Sequence, residues 1–92
     1  MDVVVCYDIV SDRRRARVFK RMKDYLPHVQ KSVFEGELAE TRLLALRKMI
    51  AEEIDPHEDT VRIYHQCARC QPATEIFGTG VYVERGNVDI VV

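Results

Sequence analysis

The residues with the clearest chemical capacity lie where an apolar segment meets a strongly basic one. Residues 3–9 read Val-Val-Val-Cys-Tyr-Asp-Ile, so this apolar run carries one carboxylate, Asp8, near its end. Residues 13–23 follow with seven Lys or Arg and no acid. A carboxylate is the kind of oxygen ligand that Mg²⁺ takes, together with waters and substrate phosphates, and basic side chains bind phosphate oxygens strongly. The junction therefore favours phosphodiester chemistry or nucleic-acid binding over reactions of small molecules.

Asp8 is the predicted catalytic and metal-binding residue. One carboxylate makes a sparse Mg²⁺ site, because the ion usually takes one or two carboxylates and keeps several waters. A two-fold homodimer would supply a second Asp8, so we expect Mg²⁺ to be shared across the dimer. The alternative is that Asp8 caps the following turn or pairs with an arginine. For Asp12 we favour the N-cap of the next helix, with Ser11 as the other candidate for that position.

The basic segment is predicted to contact nucleic-acid phosphates. Such contacts release counterions, so binding should depend strongly on salt. Because phosphate contacts carry no sequence information of their own, sequence preference should be weak. The alternative is an ordinary solvated helix face. The residues expected to bind nucleic acid are Arg13, Arg14, Arg15, Arg17 and Lys20.

The cysteines suggest less chemistry than their spacing at first indicates. Cys67 and Cys70 form one C-x-x-C, and His65 lies two residues before it. These are three candidate ligands, whereas a structural zinc site normally needs four, and a redox C-x-x-C is expected at the start of a helix in a thioredoxin-like unit. We expect no cofactor here, with a disulfide and a metal as the alternatives. Cys6 lies inside an apolar strand and is expected in the core.

Composition indicates one ordinary globular domain over residues 1–92, with 47% apolar and 32% charged residues. The net charge of −1 hides an asymmetry: residues 13–31 carry eight basic residues and one acid, and residues 35–59 carry eight acids and three basic residues. Local fields of opposite sign follow from such segregation. The sequence contains neither a bilayer-spanning apolar run nor a signal peptide. We therefore predict a cytoplasmic protein with no membrane partner.

Hydrophobic periodicity predicts two helices. The first runs from about residue 12 to 25, with an apolar face formed by Val18, Phe19, Met22, Tyr25 and Leu26 and the arginines opposite. The second covers about residues 40–54. Its predicted buried stripe is formed by Leu43, Leu46, Ile50 and Ile54, with Leu44 and Met49 at the edges.

Alternation and β-branched residues predict the strands. Residues 67–75 are expected to form a loop, and residues 85–87 a turn. The predicted strands cover residues 2–9, 28–36, 60–65, 75–77 and 88–92.

This order predicts an α+β fold, a ferredoxin-like βαββαβ sandwich with two helices on one face of an antiparallel sheet and an extra C-terminal strand. A chain this short has a small core, so a homodimer that buries further apolar area is expected. Residues 88–92 (Val-Asp-Ile-Val-Val) are too apolar to remain an unpaired edge. We expect this strand to be exchanged with, or docked on, a partner, or to pair with its own sheet.

Four segments, taken in order, resemble the small CRISPR-associated endonuclease family called Cas2. The resemblance covers nearly the whole chain. It rests on residues 7–9 (Tyr-Asp-Ile), on Ser11-Asp12 with the arginine run, on residues 29–36 and on residues 59–64 with Cys67 and Cys70.

The resemblance implies a ferredoxin-like homodimer, a metal-binding aspartate at Asp8, and divalent-metal-dependent cleavage of RNA or double-stranded DNA. It also implies a role in spacer acquisition, as the scaffold between dimers of a CRISPR integrase partner. Two alternatives remain open: a non-catalytic nucleic-acid scaffold, in which Asp8 is structural, and a toxin-like RNA-binding module. The sequence leaves the choice between RNA and DNA open as well.

Overall fold

The computed structural model describes residues 1–66 and 73–79. Within these residues the chain forms five strands and two helices. In chain order they are β1 (Asp2–Asp8), α1 (Asp12–Met22), β2 (His28–Gln30), β3 (Val33–Glu37), α2 (Glu40–Glu53), β4 (Thr60–Gln66) and β5 (Ala73–Gly78).

The strands form one sheet in the order β2-β3-β1-β4-β5, and all neighbouring strands are antiparallel. β1 is central, with Val5 opposite Phe34 of β3 and opposite Ile63 of β4. The first four strands and the two helices are the predicted ferredoxin-like βαββαβ unit, which is thereby confirmed, and β5 extends the sheet beyond β4. The strand that carries Asp8 is therefore held on both sides.

The prediction of one strand over residues 28–36 is wrong. The chain turns at Lys31 and Ser32 and forms the β2-β3 hairpin, with a register irregularity between His28 and Gln30. The carbonyl of Ser32 accepts from the backbone N–H of Tyr7 at 3.1 Å, which ties this turn to β1. The alternating side-chain pattern continues through the turn, and no glycine or proline marks the turn. The pattern alone therefore predicted a single strand. The hairpin supplies the second strand that the βαββαβ order requires.

The core lies between one face of the sheet and the two helices. Val3, Val5 and Ile63 of the sheet are fully buried. The predicted helix stripes are confirmed: Val18 and Met22 of α1 are buried, as are Leu43, Leu46, Met49 and Ile50 of α2. Of the two residues expected at the edge of α2, Met49 is in the core and Leu44 is 58% exposed.

The opposite face of the sheet is not covered by either helix. Strand alternation places Val4, Cys6 and Asp8 on this face, with Tyr64 opposite Val4 and with Arg62 opposite Cys6. Val4, Cys6 and Tyr64 are only half-buried within the described residues. Cys6 was expected in the core but lies on this outer face, where partial burial still raises the pKa of its thiol. We call this surface the open sheet face.

Two element boundaries differ from the prediction. α1 ends at Met22 and is followed by turn residues, whereas the prediction ran to about Tyr25. β5 begins at Ala73, so the predicted loop over residues 67–75 is wrong for its last three residues and the predicted strand over 75–77 is longer than expected. Cys67, Cys70, residues 80–87 and the predicted strand 88–92 lie outside the described residues. Neither α1 nor α2 is long and apolar enough to cross a membrane.

Candidate metal and nucleic-acid site

Asp8 is the last residue of β1 and is exposed. It lies opposite Thr60 at the start of β4, and its side chain belongs to the open sheet face. Within residues 1–66 and 73–79 its carboxylate takes part in no hydrogen bond or ion pair, so neither a turn cap nor an arginine pair is found there. The same residues contain no cluster of three or more His, Cys, Asp or Glu that could hold a metal. Asp8 thus offers one unengaged oxygen ligand per chain.

The turn that follows Asp8 is fixed through a single peptide unit, the one that joins Ile9 to Val10. The Nη1 of Arg15 donates to the carbonyl oxygen of Ile9 at 2.8 Å, and the N–H of Val10 donates to Oδ1 of Asp59 at 3.0 Å. The side chain of Ile9 is itself buried in the core. The backbone immediately after Asp8 is therefore held on both sides of one peptide plane.

Ser11 is the N-cap of α1, because its Oγ accepts from the backbone N–H of Arg14 at 3.2 Å. The preference for Asp12 as N-cap is therefore wrong. Asp12 lies in the first turn of the helix, is exposed, and pairs with Arg15. A carboxylate in the first turn interacts favourably with the positive end of the helix dipole.

Asp59 is the one fully buried charged residue in the described part of the chain. Its carboxylate accepts from the backbone N–H of Asp55 at 2.8 Å and of Val10, and from Nε and Nη2 of Arg14 at 2.7 and 3.1 Å. Burial by itself would raise the pKa of Asp59, but the hydrogen bonds from Arg14 and the two backbone N–H groups outweigh it and lower the pKa. A buried charge is tolerated when it is paired and fully hydrogen-bonded in this way. Asp59 therefore remains ionised in the fold.

Most of the arginines predicted to bind phosphates are engaged inside the protein. Arg14 contacts Glu58 at 3.2 Å in addition to Asp59. Arg17 contacts Glu53 at 2.8 Å. Arg15 is used by the carbonyl of Ile9 and by Asp12. The acidic segment seen in the sequence is therefore folded against the basic one.

Arg13 and Lys20 differ from these residues. Both are exposed, and neither has a carboxylate within 4 Å among the residues that the structure describes. They lie seven positions apart on α1, so they share one helix face at a separation of about 10 Å. Of the five predicted nucleic-acid contacts, these two carry the charges that no described carboxylate compensates.

Asp59 was not identified as a site residue from the sequence. It is an acid placed directly before a β-branched strand, which is a common pattern at a turn. Its importance comes from contacts with residues 45 and 49 positions away, Arg14 and Val10. Local patterns carry no signal for such contacts.

Comparison with known proteins identifies the family. The family model for CRISPR associated protein Cas2 matches residues 1–73. A protein from Chloroflexus aurantiacus named CRISPR-associated endoribonuclease Cas2 3 is 38% identical over 81 residues, covering 88% of this chain and 87% of its own. A CRISPR-associated endoribonuclease Cas2 from Thermococcus kodakarensis is 37% identical over 92 residues, the full length of both chains.

Solved structures agree with the sequence comparisons. The crystal structure of Streptococcus pyogenes Cas2 at pH 6.5 superposes with a TM-score of 0.67 at 29% identity, covering 73% of this chain and 87% of that chain. A second crystal structure of cas2 has a TM-score of 0.63 at 30% identity, and the match covers 100% of this chain and 98% of that chain. The match thus extends from sequence motifs to the arrangement of strands and helices, and the chain belongs to the CRISPR associated protein Cas2 family.

Proposed function

We propose that this protein is a metal-dependent endonuclease of CRISPR antiviral defence, which hydrolyses phosphodiester bonds of RNA or double-stranded DNA as a homodimer. The observation that carries the proposal is the carboxylate of Asp8 at the end of β1, which is exposed and has no hydrogen-bond or ion-pair partner among residues 1–66 and 73–79. The names of similar proteins, which call them endoribonucleases or endonucleases, support the same reaction class.

The open sheet face supports the homodimer. It presents half-buried apolar side chains, including those of Val4, Tyr64 and Ile76, which no described element covers. Burying such a face against a second copy would remove apolar area from water, at about 25 cal/mol per Å². Because Asp8 lies at the end of this face, a face-to-face dimer whose two-fold axis passes near that end would bring the Asp8 residues of both protomers into one region.

The donor set is compatible with Mg²⁺ if a dimer brings two Asp8 carboxylates together. One chain supplies a single carboxylate, and two chains would supply two, which is the usual number for an Mg²⁺ that keeps several waters. A bound Mg²⁺ would polarise the scissile phosphate and lower the pKa of an attacking water. The two Asp8 carboxylates would hold the ion, while Arg13 and Lys20 would bind the flanking phosphates.

A nuclease assay with matched acid variants tests this proposal. Asp8→Ala should abolish Mg²⁺-dependent cleavage because it removes the only ligand that each protomer is proposed to supply. Asp24→Ala is the control, since it removes an equally exposed acid from the end of the basic segment. Single-stranded RNA and double-stranded DNA should be assayed separately, each with Mg²⁺ and with EDTA. Equal cleavage by wild type and Asp8→Ala would contradict the proposal.

A second candidate is a non-catalytic scaffold that holds DNA for an integrase partner during spacer acquisition. The observation that favours it is that the described residues contain no cluster of three or more His, Cys, Asp or Glu that could hold a metal. If the protein is only a scaffold, Asp8→Ala should leave DNA binding and integration unchanged, and the Arg13→Gln/Lys20→Gln variant should weaken both. Measuring cleavage and integration on the same variants separates the two functions.

A further inference from the structure

The buried carboxylate of Asp59 connects three parts of the chain that are distant in sequence. It binds Val10 in the turn after β1, Arg14 in the first turn of α1, and Asp55 near the start of the α2-β4 connection. Ordinary packing does not require a charge at this position, and a fully buried carboxylate is costly unless every partner is in place. The Asp59 carboxylate therefore fixes the positions of these three backbone segments relative to one another, in addition to filling space in the core.

The geometry that it fixes is the backbone on both sides of Asp8. Before the turn, Asp8 pairs with Thr60 in the β1-β4 ladder. After the turn, the Ile9–Val10 peptide unit is held by Asp59, the residue directly before Thr60, and from its other side by Arg15. The two-residue segment 59–60 thus contacts the chain both at Asp8 and two residues after it.

We propose that Asp59 is a positioning residue for the Asp8 carboxylate, with Arg14 holding Asp59 and Arg15 holding the opposite side of the same peptide unit. The proposal rests on the proposed function and deepens it. It gives Arg14 and Arg15 a role in the metal site in place of the phosphate contacts predicted for them. A metal ion that takes one ligand from each of two protomers has few protein ligands to fix its position. Each ligand must therefore be held within about 0.5 Å of its productive position.

The first test is direct metal binding by Asp59→Asn. Asparagine keeps an acceptor oxygen and the side-chain volume but loses the charge that binds Arg14. Mn²⁺ binding, followed by electron paramagnetic resonance of the free ion, should weaken by about 10-fold or more, the range seen when residues that orient metal ligands are replaced. Hydrogen exchange at the Val10 amide should accelerate, whereas binding to duplex DNA at low salt should stay at the wild-type level.

A second pair of variants keeps the test decisive if Asp59→Asn fails to fold. Arg15→Met removes the donor to the Ile9 carbonyl, and Arg21→Met removes a guanidinium of similar exposure from the same helix, with 45% and 41% of the side chains exposed. Arg21 binds Glu53 and does not touch the Asp8 turn. Arg15→Met should weaken Mn²⁺ binding, Arg15→Lys should partly restore it, and Arg21→Met should leave it unchanged.

The outcomes distinguish this inference from the function on which it rests. If wild type shows no Mn²⁺ binding that depends on Asp8, the proposed function fails and the positioning role fails with it. If Asp8→Ala loses Mn²⁺ binding while folded Asp59→Asn and Arg15→Met bind it like wild type, the positioning role alone is overturned. Weakened Mn²⁺ binding in Arg15→Met, and in Asp59→Asn if that variant folds, with a wild-type response from Arg21→Met, supports it.

Discussion

Arg13 and Arg21 lie on the same helix but differ in what compensates their charge. Arg21 donates to Glu53 at 2.8 Å and lies 3.8 Å from Glu52. Arg13 has no carboxylate within 4 Å in the described part of the chain. A cation that already has an anionic partner must exchange that partner for a phosphate, whereas an uncompensated one releases only counterions from the nucleic acid. Equal charges on one helix are therefore expected to contribute unequally to binding.

The salt dependence of binding to a DNA duplex measures this difference. Arg13→Gln should reduce the magnitude of the negative slope of log K against log salt by about 0.9, the value for one phosphate contact, and Arg13→Gln/Lys20→Gln by about twice that. Arg21→Gln should change the slope less, because Glu53 already holds that charge. Fluorescence anisotropy at several salt concentrations would give the slopes. Equal decreases for Arg13→Gln and Arg21→Gln would show that the ion pairs do not select the phosphate contacts.

At the scale of elements, the helices and the central strands were predictable because their signals are local. The i, i+3, i+4 spacing in α2 and the β-branched run in β1 each encode one buried face within a few residues. Glu75 lies inside the strand predicted over residues 75–77, but it is an unusual residue for a core-side strand position. It is accommodated by Arg47, which donates to it through Nε and Nη2 at 2.7 Å each, and by His65. Those partners come from α2 and β4, so no window around Glu75 reveals them.

The residues of the candidate site also divide into those with a local sequence signal and those that depend on distant partners. Asp8 could be proposed from the sequence because a carboxylate at the end of an apolar strand beside a basic helix is a local pattern. The pairing of Arg14 with Asp59 and of Arg17 with Glu53 joins residues 45 and 36 positions apart. Charge segregation along the sequence was visible, but it was interpreted as two separate fields. Only the packing of α1 near α2 and the α2-β4 connection shows that the fields largely neutralise each other.

The end of β5 depends on a glycine. Gly78 has a φ of +92°, and a Cβ at this position would overlap the carbonyl oxygen of Asp59. The next residue, Thr79, donates its N–H to that same carbonyl at 2.9 Å. Gly78→Ala should therefore destabilise the protein by at least about 1–2 kcal/mol, because an L-residue is strained at positive φ even without the overlap. Urea unfolding followed by circular dichroism would measure the loss.

Gly36→Ala provides a comparison within the same sheet. A Cβ at Gly36 would meet side-chain atoms of Pro27 and Leu26, at 2.9 and 3.2 Å, and Gly36 does not lie at positive φ. Those atoms can shift in part, whereas the Asp59 carbonyl is backbone. Gly78→Ala should therefore be the more destabilising of the two variants. A Gly78→Ala protein as stable as wild type would show that the Asp59 corner can rearrange.

At the scale of the whole molecule, carboxylates that bind arginines hold separate elements together. Hydrogen bonds from Arg17 and Arg21 of α1 lower the pKa of Glu53 in α2. The hydrogen bond from Arg47 of α2, together with the one from His65, lowers the pKa of Glu75 in β5 against the effect of burial. Asp59 joins the β1-α1 turn to β4 in the same way. Each pair links elements whose apolar contacts are limited by the short chain. Protonation of these acids should therefore lower the free energy of unfolding of the whole protein.

The fold lowers the pKa values of Glu53, Asp59 and Glu75, so the stability of the protein should depend on pH. A group whose pKa is lower in the folded than in the unfolded state stabilises the fold fully above its unfolded pKa, here about 4. That contribution is lost as the pH falls through the folded pKa values. The free energy of unfolding should therefore change little between pH 7 and about pH 5 on account of these acids, and should decrease steadily below about pH 4.

Urea unfolding at pH 7, 5, 4 and 3, at one protein concentration so that any dimer contribution stays constant, would measure this decrease. Glu53→Gln is the matched variant, because it keeps the side-chain shape and removes one of the three titrating groups. At pH 7 the variant should be less stable than wild type, because the substitution removes the ion pairs of Glu53 with Arg17 and Arg21. Its stability should approach that of wild type at pH 3. Equal stability of the two proteins from pH 7 to pH 3 would mean that Glu53 stabilises the fold by its shape and not by its charge.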